Sequence, residues 1–163
     1  MDYFPAIARW LHIVAGVTWV GLLYYFNLVQ VPAMKEATAD GTAAGISKHV
    51  APRALFWFRW AAIATWLAGA ALLGPHFNDA FSLKPEFVAI GVGAWLGTIM
   101  LFNVWVLIWP NQQKILGMVK ATDAEKASAR RIALLASRTN MMLSLPMLFF
   151  MANGLTHRAL IGL

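Results

Sequence analysis

The sequence contains no cysteine and only seven acidic residues among its 163 positions. Without cysteine, this chain cannot form a disulfide, a thiolate metal site, an iron–sulfur cluster or a covalent attachment to c-type haem. None of the acidic residues lies deep in an apolar stretch; they are Asp2, Glu36, Asp40, Asp79, Glu86, Asp123 and Glu125. No buried carboxylate is therefore available as a general base, and the four histidines lack the paired spacing of a zinc or di-iron site.

Hydrophobic residues dominate the sequence. They make up 60% of the chain, with eight tryptophans and ten phenylalanines, and the mean hydropathy is +0.63. Such a composition predicts a polytopic membrane protein rather than a soluble domain. Four stretches approach the ~20 residues needed to cross ~30 Å of hydrocarbon. Within a single domain covering 1–163, they lie at about 4–31, 52–73, 87–109 and 132–155, and they predict an all-α integral membrane four-helix bundle.

The distribution of basic residues predicts the orientation of this bundle. They concentrate in the first and third linkers, as Lys35, Lys48, Arg53, Lys114, Lys120, Lys126, Arg130 and Arg131. The positive-inside rule places these linkers in the cytoplasm and both termini on the non-cytoplasmic side. Thr122-Asp123-Ala124-Glu125 is typical of a capping box, so we expect a helical extension at about 123–131 before the last span. The net charge of +6 follows from this topology and does not indicate nucleic-acid binding.

A histidine defines a polar layer in the outer half of the bundle. His12 lies about 12 Å into the first stretch, at ~1.5 Å per residue, and Gly16 and Trp19 share its helix face. Glycine and alanine at similar depth in the second and third stretches predict space beside the imidazole. Two interpretations remain open: small residues that allow close helix packing, or a haem whose iron is ligated by His12.

Several side chains are candidates for a second axial ligand. His76 and His157 each follow a span on the predicted outer side, and Met147 or Met151 would supply a thioether instead. Histidines at helix ends are mostly solvated, and methionine more often fills a core. The sequence therefore leaves the second ligand open.

A second polar layer lies nearer the predicted cytoplasmic surface. Arg59, Asn103, Arg138 and Asn140 fall within about 9–14 Å of that surface, with Asn27 closer to the edge. An arginine at bilayer depth costs at least ~2.5–3.5 kcal/mol and normally faces a partner, yet no carboxylate side chain is placed nearby. These groups either hydrogen-bond one another and snorkel, or they bind a haem propionate, a quinone oxygen, a lipid head group or an anionic substrate.

The first stretch carries a resemblance to a known family. The residues that carry it are Arg9-Trp10-Leu11-His12-Ile13-Val14-Ala15-Gly16-Val17-Thr18-Trp19-Val20-Gly21 and Tyr24-Tyr25-Phe26-Asn27, with further pieces at Trp109-Pro110-Asn111-Gln112, Ser137-Arg138-Thr139-Asn140 and Ser144-Leu145-Pro146. They resemble the membrane domain of bacterial membrane-bound urate oxidase, a urate hydroxylase. A looser similarity extends to haem-b-containing membrane protoporphyrinogen oxidases and copper-resistance D-type proteins. In these relatives a first-span histidine ligates haem, which implies that role for His12.

The resemblance implies a scaffold and a b-type haem rather than urate chemistry. The full urate oxidase is longer and ends in a c-type cytochrome domain, for which this sequence has no cysteines. We therefore predict a redox or electron-transfer subunit of the bacterial cytoplasmic membrane and, if it is an enzyme, a haem-dependent oxidoreductase. His12 is the expected axial ligand beside Gly16 and Trp19; the expected anion or propionate contacts are Arg59, Arg138, Asn103 and Asn140.

The expected partners are the lipid bilayer, other membrane subunits, and an external cytochrome or quinone that exchanges electrons. Two other functions stay open. One is a non-catalytic accessory subunit that packs within a larger membrane complex and binds only lipid. The other is a small-anion transporter, for which four short spans leave little room for alternating access.

Overall fold

The computed structural model describes residues 3–153 as four long helices. They are α1 (Phe4–Ala39), α2 (Ala43–Phe81), α3 (Pro85–Ile115) and α4 (Asp123–Asn153). Each is long and apolar enough to cross a membrane. Residues 3–153 contain no strand, so the predicted all-α membrane bundle is confirmed. The side on which the termini lie remains a prediction.

The helices run well past the spans predicted from hydropathy. α1 continues to Ala39 and α2 already begins at Ala43, so most of the first linker is helical rather than irregular. Alanine-rich sequence favours this outcome because alanine has the highest helix propensity. The turn between them places Gly41 at a φ of 73°, in the left-handed region that glycine enters without steric cost. We call the end of the bundle that carries 40–42 and 116–122 the basic end.

The fourth helix begins at a capping box. The Glu125 carboxylate accepts hydrogen bonds from the Thr122 backbone N–H at 2.7 Å and from the Thr122 hydroxyl at 2.8 Å. In return the Glu125 backbone N–H donates to the Thr122 hydroxyl oxygen at 3.3 Å. These bonds satisfy donors that a helix N-terminus leaves unpaired, and they fix the start of α4 at Asp123.

Three turns of π-helix interrupt the α-helical hydrogen bonding. They are Tyr25–Gln30, Ile46–Val50 and Asn103–Ile108. Each ends two residues before a proline, namely Pro32, Pro52 and Pro110. Proline has no N–H and its ring would clash with the carbonyl four residues earlier, so widening the preceding turn relieves the clash. Pro52 therefore lies inside a continuous α2, although the sequence suggested that it opens the second helix.

The helices pack as two pairs that share one core. α1 packs chiefly on α2, and α3 packs chiefly on α4. The core joins the pairs through Trp19, Leu23, Phe58, Met100, Val104 and Met147. Many large apolar side chains remain exposed on the outer surface, including Val17 at 68%, Met142 at 74% and Leu145 at 64%. A surface of this kind suits acyl chains rather than water.

Candidate functional site

His12 is held between α1 and α2 by one hydrogen bond and one close contact. Its Nδ1 lies 2.8 Å from the backbone carbonyl oxygen of Thr65. Gly69, one turn further along α2, makes room for the ring: a Cβ there would lie 2.8 Å from Cε1 of His12 and 3.0 Å from Nδ1. Any residue other than glycine would force the imidazole to shift from this position.

The Thr65 contact determines which imidazole nitrogen carries the proton. A carbonyl oxygen can only accept, so Nδ1 of His12 must be the donor. In a neutral imidazole, Nε2 then holds the free lone pair, and no other residue among 3–153 forms a hydrogen bond with it. Metal-ligating histidines commonly donate their other ring N–H to a backbone carbonyl in this way. Within the described residues, Nε2 of His12 is thus left without a hydrogen-bond partner.

Trp19 carries an unsatisfied donor on the same helix face as His12. Its side chain is 2% exposed, yet its indole N–H has no hydrogen-bond partner among the described residues. A buried donor without a partner costs about 1–3 kcal/mol, so it is an expected contact point for a group absent from the polypeptide. His12 and Trp19 therefore both have unused polar capacity on the face of α1 that contacts α2.

The small residues near His12 leave less open space than the sequence suggested. A Cβ on Gly16 would lie 3.7 Å from Cγ2 of Thr65, which is ordinary packing contact between α1 and α2. Gly93 packs against Phe150 and Met151, where a Cβ would come within 3.3 Å of both side chains. Gly97 alone of these three has no neighbour within 4 Å. Close helix packing therefore accounts for Gly16 and Gly93.

The possible second ligands have other contacts or lie elsewhere. His76 stacks on Phe87 at 5.0 Å and lies 3.5 Å from the Asp79 carboxylate. That carboxylate also binds Lys84, and the hydrogen bond raises the pKa of the Lys84 ammonium group. Of the two thioethers, Met147 is buried in the core and Met151 packs on Gly93. His157 lies outside the described residues.

The inner layer contains a hydrogen-bonded amide pair at the centre of the bundle. Asn103, in a π turn of α3, donates its amide to Oδ1 of Asn140 at 2.8 Å, and Asn140 donates to the Met100 carbonyl at 2.9 Å. Asn140 is fully buried and Asn103 is 8% exposed. The two predicted site asparagines are thus brought together, but they bind each other and the backbone.

Hydroxyl groups on α4 extend this layer to α1. The amide of Asn27 donates to the Ser137 hydroxyl at 2.8 Å, and the Tyr24 hydroxyl lies 3.0 Å from the Ser144 hydroxyl. Ser137, Asn140 and Ser144 share one face of α4 because their spacing follows the helical repeat. Sequence reasoning did not assign the two serines, although this spacing was a signal that would have found them.

The two arginines do not converge, which corrects the prediction that both turn inward at one site. The Arg59 guanidinium lies 3.7 Å from the centre of the Trp109 ring and 5.6 Å from that of Phe56. This cation–π stacking takes the place of the missing carboxylate. Arg138 is exposed on the outer surface of α4, whereas Asn140, two residues later, points into the core. Successive residues turn ~100° around a helix, so Arg138 and Asn140 cannot share a face.

No cluster of three or more histidine or carboxylate side chains that would bind a metal ion occurs within 3–153. Ligation of a metal ion by His12 therefore stays a prediction. The inner layer is a separate structural unit, and its arginines and asparagines do not surround His12.

The chain matches the family model described as urate oxidase N-terminal over residues 1–79 and 75–158. The two matches together cover nearly the whole sequence, including all four helices and His12. No curated protein matches the chain, and no solved structure does. The family match agrees with the resemblance found in the first span. This chain is a multi-pass membrane protein that belongs to the urate oxidase N-terminal family.

Proposed function

We propose that this protein is a redox subunit of the bacterial cytoplasmic membrane that holds a b-type haem through His12. The proposal rests on membership of the urate oxidase N-terminal family and on the surroundings of one imidazole. Other membrane subunits, an external cytochrome or a quinone would exchange electrons with it. We propose electron transfer rather than urate oxidation because no aspartate or glutamate within 3–153 lies deep in an apolar stretch, where it could act on urate as a general base.

The observation that carries this proposal is the hydrogen bond from Nδ1 of His12 to the Thr65 carbonyl. It fixes the tautomer with a free lone pair on Nε2 and restricts rotation of the ring. Gly69 allows the ring to sit close to α2, and the unpaired Trp19 N–H offers a second polar contact on the same face. A bound haem would supply one-electron transfer, and these residues would hold and orient it.

The chain's own residues would also tune such a group. Donation from Nδ1 to a carbonyl raises the basicity of Nε2, which would strengthen its bond to iron. Apolar surroundings would exclude water from the ligated face. Arg59 is the better of the two arginines for a propionate contact, since it is half-buried whereas Arg138 is exposed on the outer surface of α4. We assign no such role to Arg138, Asn103 or Asn140.

A visible spectrum of the protein purified from its native membrane tests the proposal. We expect a Soret band that is lost in His12→Ala and retained in His49→Ala, which removes an imidazole near the basic end. Equal monomer yield of the two variants would show that the loss is not caused by misfolding. Wild-type protein without a Soret band, or with a band that survives His12→Ala, would contradict haem ligation by His12.

The accessory-subunit function is the second candidate, and the inner layer favours it. Asn103, Asn140, Asn27 and Ser137 each form a hydrogen bond within the bundle, as expected of polar groups that hold membrane helices together, although the buried Asn27 side-chain oxygen has no partner among the described residues. Absence of haem combined with co-purification of a larger complex would support this function. Anion flux through liposomes would be required for the transporter function, for which the diverging arginines give no continuous path.

A further inference from the structure

A lateral cavity lies between the π turn of α3 and the outer face of α4. Its volume is about 300 Å³, and its lining residues are Asn103, Leu107, Ile132, Leu135, Ala136 and Thr139. Ile132 is 40% exposed and Leu135 is 53% exposed, so the cavity faces the space that acyl chains would occupy. We propose that this cavity binds the head of a membrane-soluble quinone or quinol.

Thr139 supplies a free hydroxyl in this cavity. The other threonines inside the four helices bond the carbonyl four residues earlier: Thr18 to Val14, Thr38 to Met34, Thr65 to Ala61 and Thr98 to Ala94. The Thr139 hydroxyl makes no such bond, nor any other hydrogen bond with residues 3–153. Thr139 lies on the exposed surface of α4, and an unpaired hydroxyl facing hydrocarbon is costly, which favours a partner outside the polypeptide.

Asn103 supplies the complementary group. Its amide nitrogen donates to Asn140, but its carbonyl oxygen has no hydrogen-bond partner within the described chain. Asn103 is 8% exposed and lines the cavity. The Thr139 hydroxyl can donate to a quinone carbonyl, and the Asn103 oxygen can accept from a quinol hydroxyl. Both redox forms of the ligand therefore find a partner.

The charge and depth of the cavity favour a neutral ring over a lipid head group. None of its six lining residues is charged, so the lining itself offers no cation to a phosphate. Asn103 lies six residues before Trp109, or about 9 Å along the helix, and tryptophan commonly marks the membrane interface. The polar groups thus sit below the level of phosphates. The ester carbonyl of a lipid can accept the same hydrogen bond from Thr139 as a quinone carbonyl, and competition between the two ligands distinguishes them.

A second cavity provides an internal control. It has a volume of about 380 Å³ and is lined by Val17, Thr18, Gly21, Leu22 and Trp57. Its threonine is already paired, since the Thr18 hydroxyl donates to the Val14 carbonyl at 3.0 Å. This cavity therefore offers an apolar surface of comparable size without a free hydroxyl.

Titration of ubiquinone-1 into the protein in phosphatidylcholine nanodiscs tests the proposal, with quenching of tryptophan fluorescence as the signal and empty nanodiscs as the blank. We expect saturable binding by wild type and a Kd raised about three- to tenfold by Thr139→Val, the effect of one lost hydrogen bond. Thr139→Trp, which fills the cavity, should abolish saturation. Thr18→Val should leave the Kd unchanged.

Absence of saturable binding by wild type would overturn the proposal, and so would equal Kd values for Thr139→Val and Thr18→Val. A third contrary result would be that a short-chain ester displaces ubiquinone-1 at the same competitor concentration as menadione does. The last result would assign the cavity to lipid ester carbonyls. Binding does not require haem, so the Soret band of the same samples tests the proposed function independently.

Discussion

Replacing Gly69 with alanine should displace His12 from its position against α2. The added Cβ would lie 2.8 Å from Cε1 of the imidazole and 3.0 Å from Nδ1, and the nearest atoms belong to a ring wedged between two helices. Ordinary contact begins near 3.4 Å, so the ring must retreat by roughly 0.6 Å. The bond from Nδ1 to the Thr65 carbonyl, now 2.8 Å, would then stretch beyond good geometry.

The expected loss of stability combines three effects. Overpacking costs about 1–3 kcal/mol, and loss of the hydrogen bond costs about 0.5–1.5 kcal/mol. Alanine has a higher helix propensity than glycine, which offsets about 1 kcal/mol of this cost. The net result is a decrease of about 0.5–3.5 kcal/mol in the free energy of unfolding. The ring that moves is also the proposed haem ligand, so haem retention should fall as well.

Unfolding by SDS in mixed micelles measures this difference, with Gly21→Ala as the matched control. A Cβ on Gly21 has no neighbour within 4 Å, so this variant should be as stable as wild type or up to about 1 kcal/mol more stable. If Gly69→Ala matches Gly21→Ala in both unfolding free energy and Soret absorbance, then His12 does not depend on the space at Gly69. Our description of the imidazole position would then be wrong.

Three further predictions concern the polar groups of the bundle. Asn140→Leu should lower the unfolding free energy by about 1–3 kcal/mol because it leaves the buried side-chain amide of Asn103 without an acceptor. Asn111→Leu removes only a bond to the Leu107 carbonyl on the same helix, so it should lower the unfolding free energy by less than about 1 kcal/mol. Trp19→Phe should lower the unfolding free energy of haem-free protein by about 1–3 kcal/mol, the cost of the space left in the core; a larger drop would show that the indole N–H already has a partner. Arg59→Lys should cost about 0.5–1 kcal/mol through lost stacking, and an equal cost for Arg138→Lys, measured in the same unfolding assay, would refute that account.

The number of membrane helices could be predicted because hydropathy depends on nearby residues only. The start of α4 could be predicted for the same reason, since the capping box needs only Thr122 and Glu125. The lengths of α1 and α2 were underestimated because hydropathy marks the spans and not the alanine-rich helix that continues beyond them. The π turns had a sequence signal in Pro32, Pro52 and Pro110, because a proline removes a backbone donor and its ring favours a wider preceding turn.

The candidate site was predicted less completely. His12 stood out as a lone histidine within an apolar stretch, but nothing in the sequence pointed to the Thr65 carbonyl as its partner. The two arginines lie at similar depth, yet depth alone does not say which face of a helix a residue occupies. Arg138 turned outward and Arg59 found an aromatic partner on another helix. Gly69 looked like one small residue among several until the helix pairing placed an imidazole against it.

The sequence by itself determined that four helices cross a membrane and that polar groups fall into two layers, because rise per residue converts position along a helix into depth. Tertiary structure alone decided which of these groups meet. Rotation of each helix about its axis and the choice of neighbour are set by packing between segments far apart in the chain, such as α1 on α2. Those contacts give His12 one bonded nitrogen and one free one.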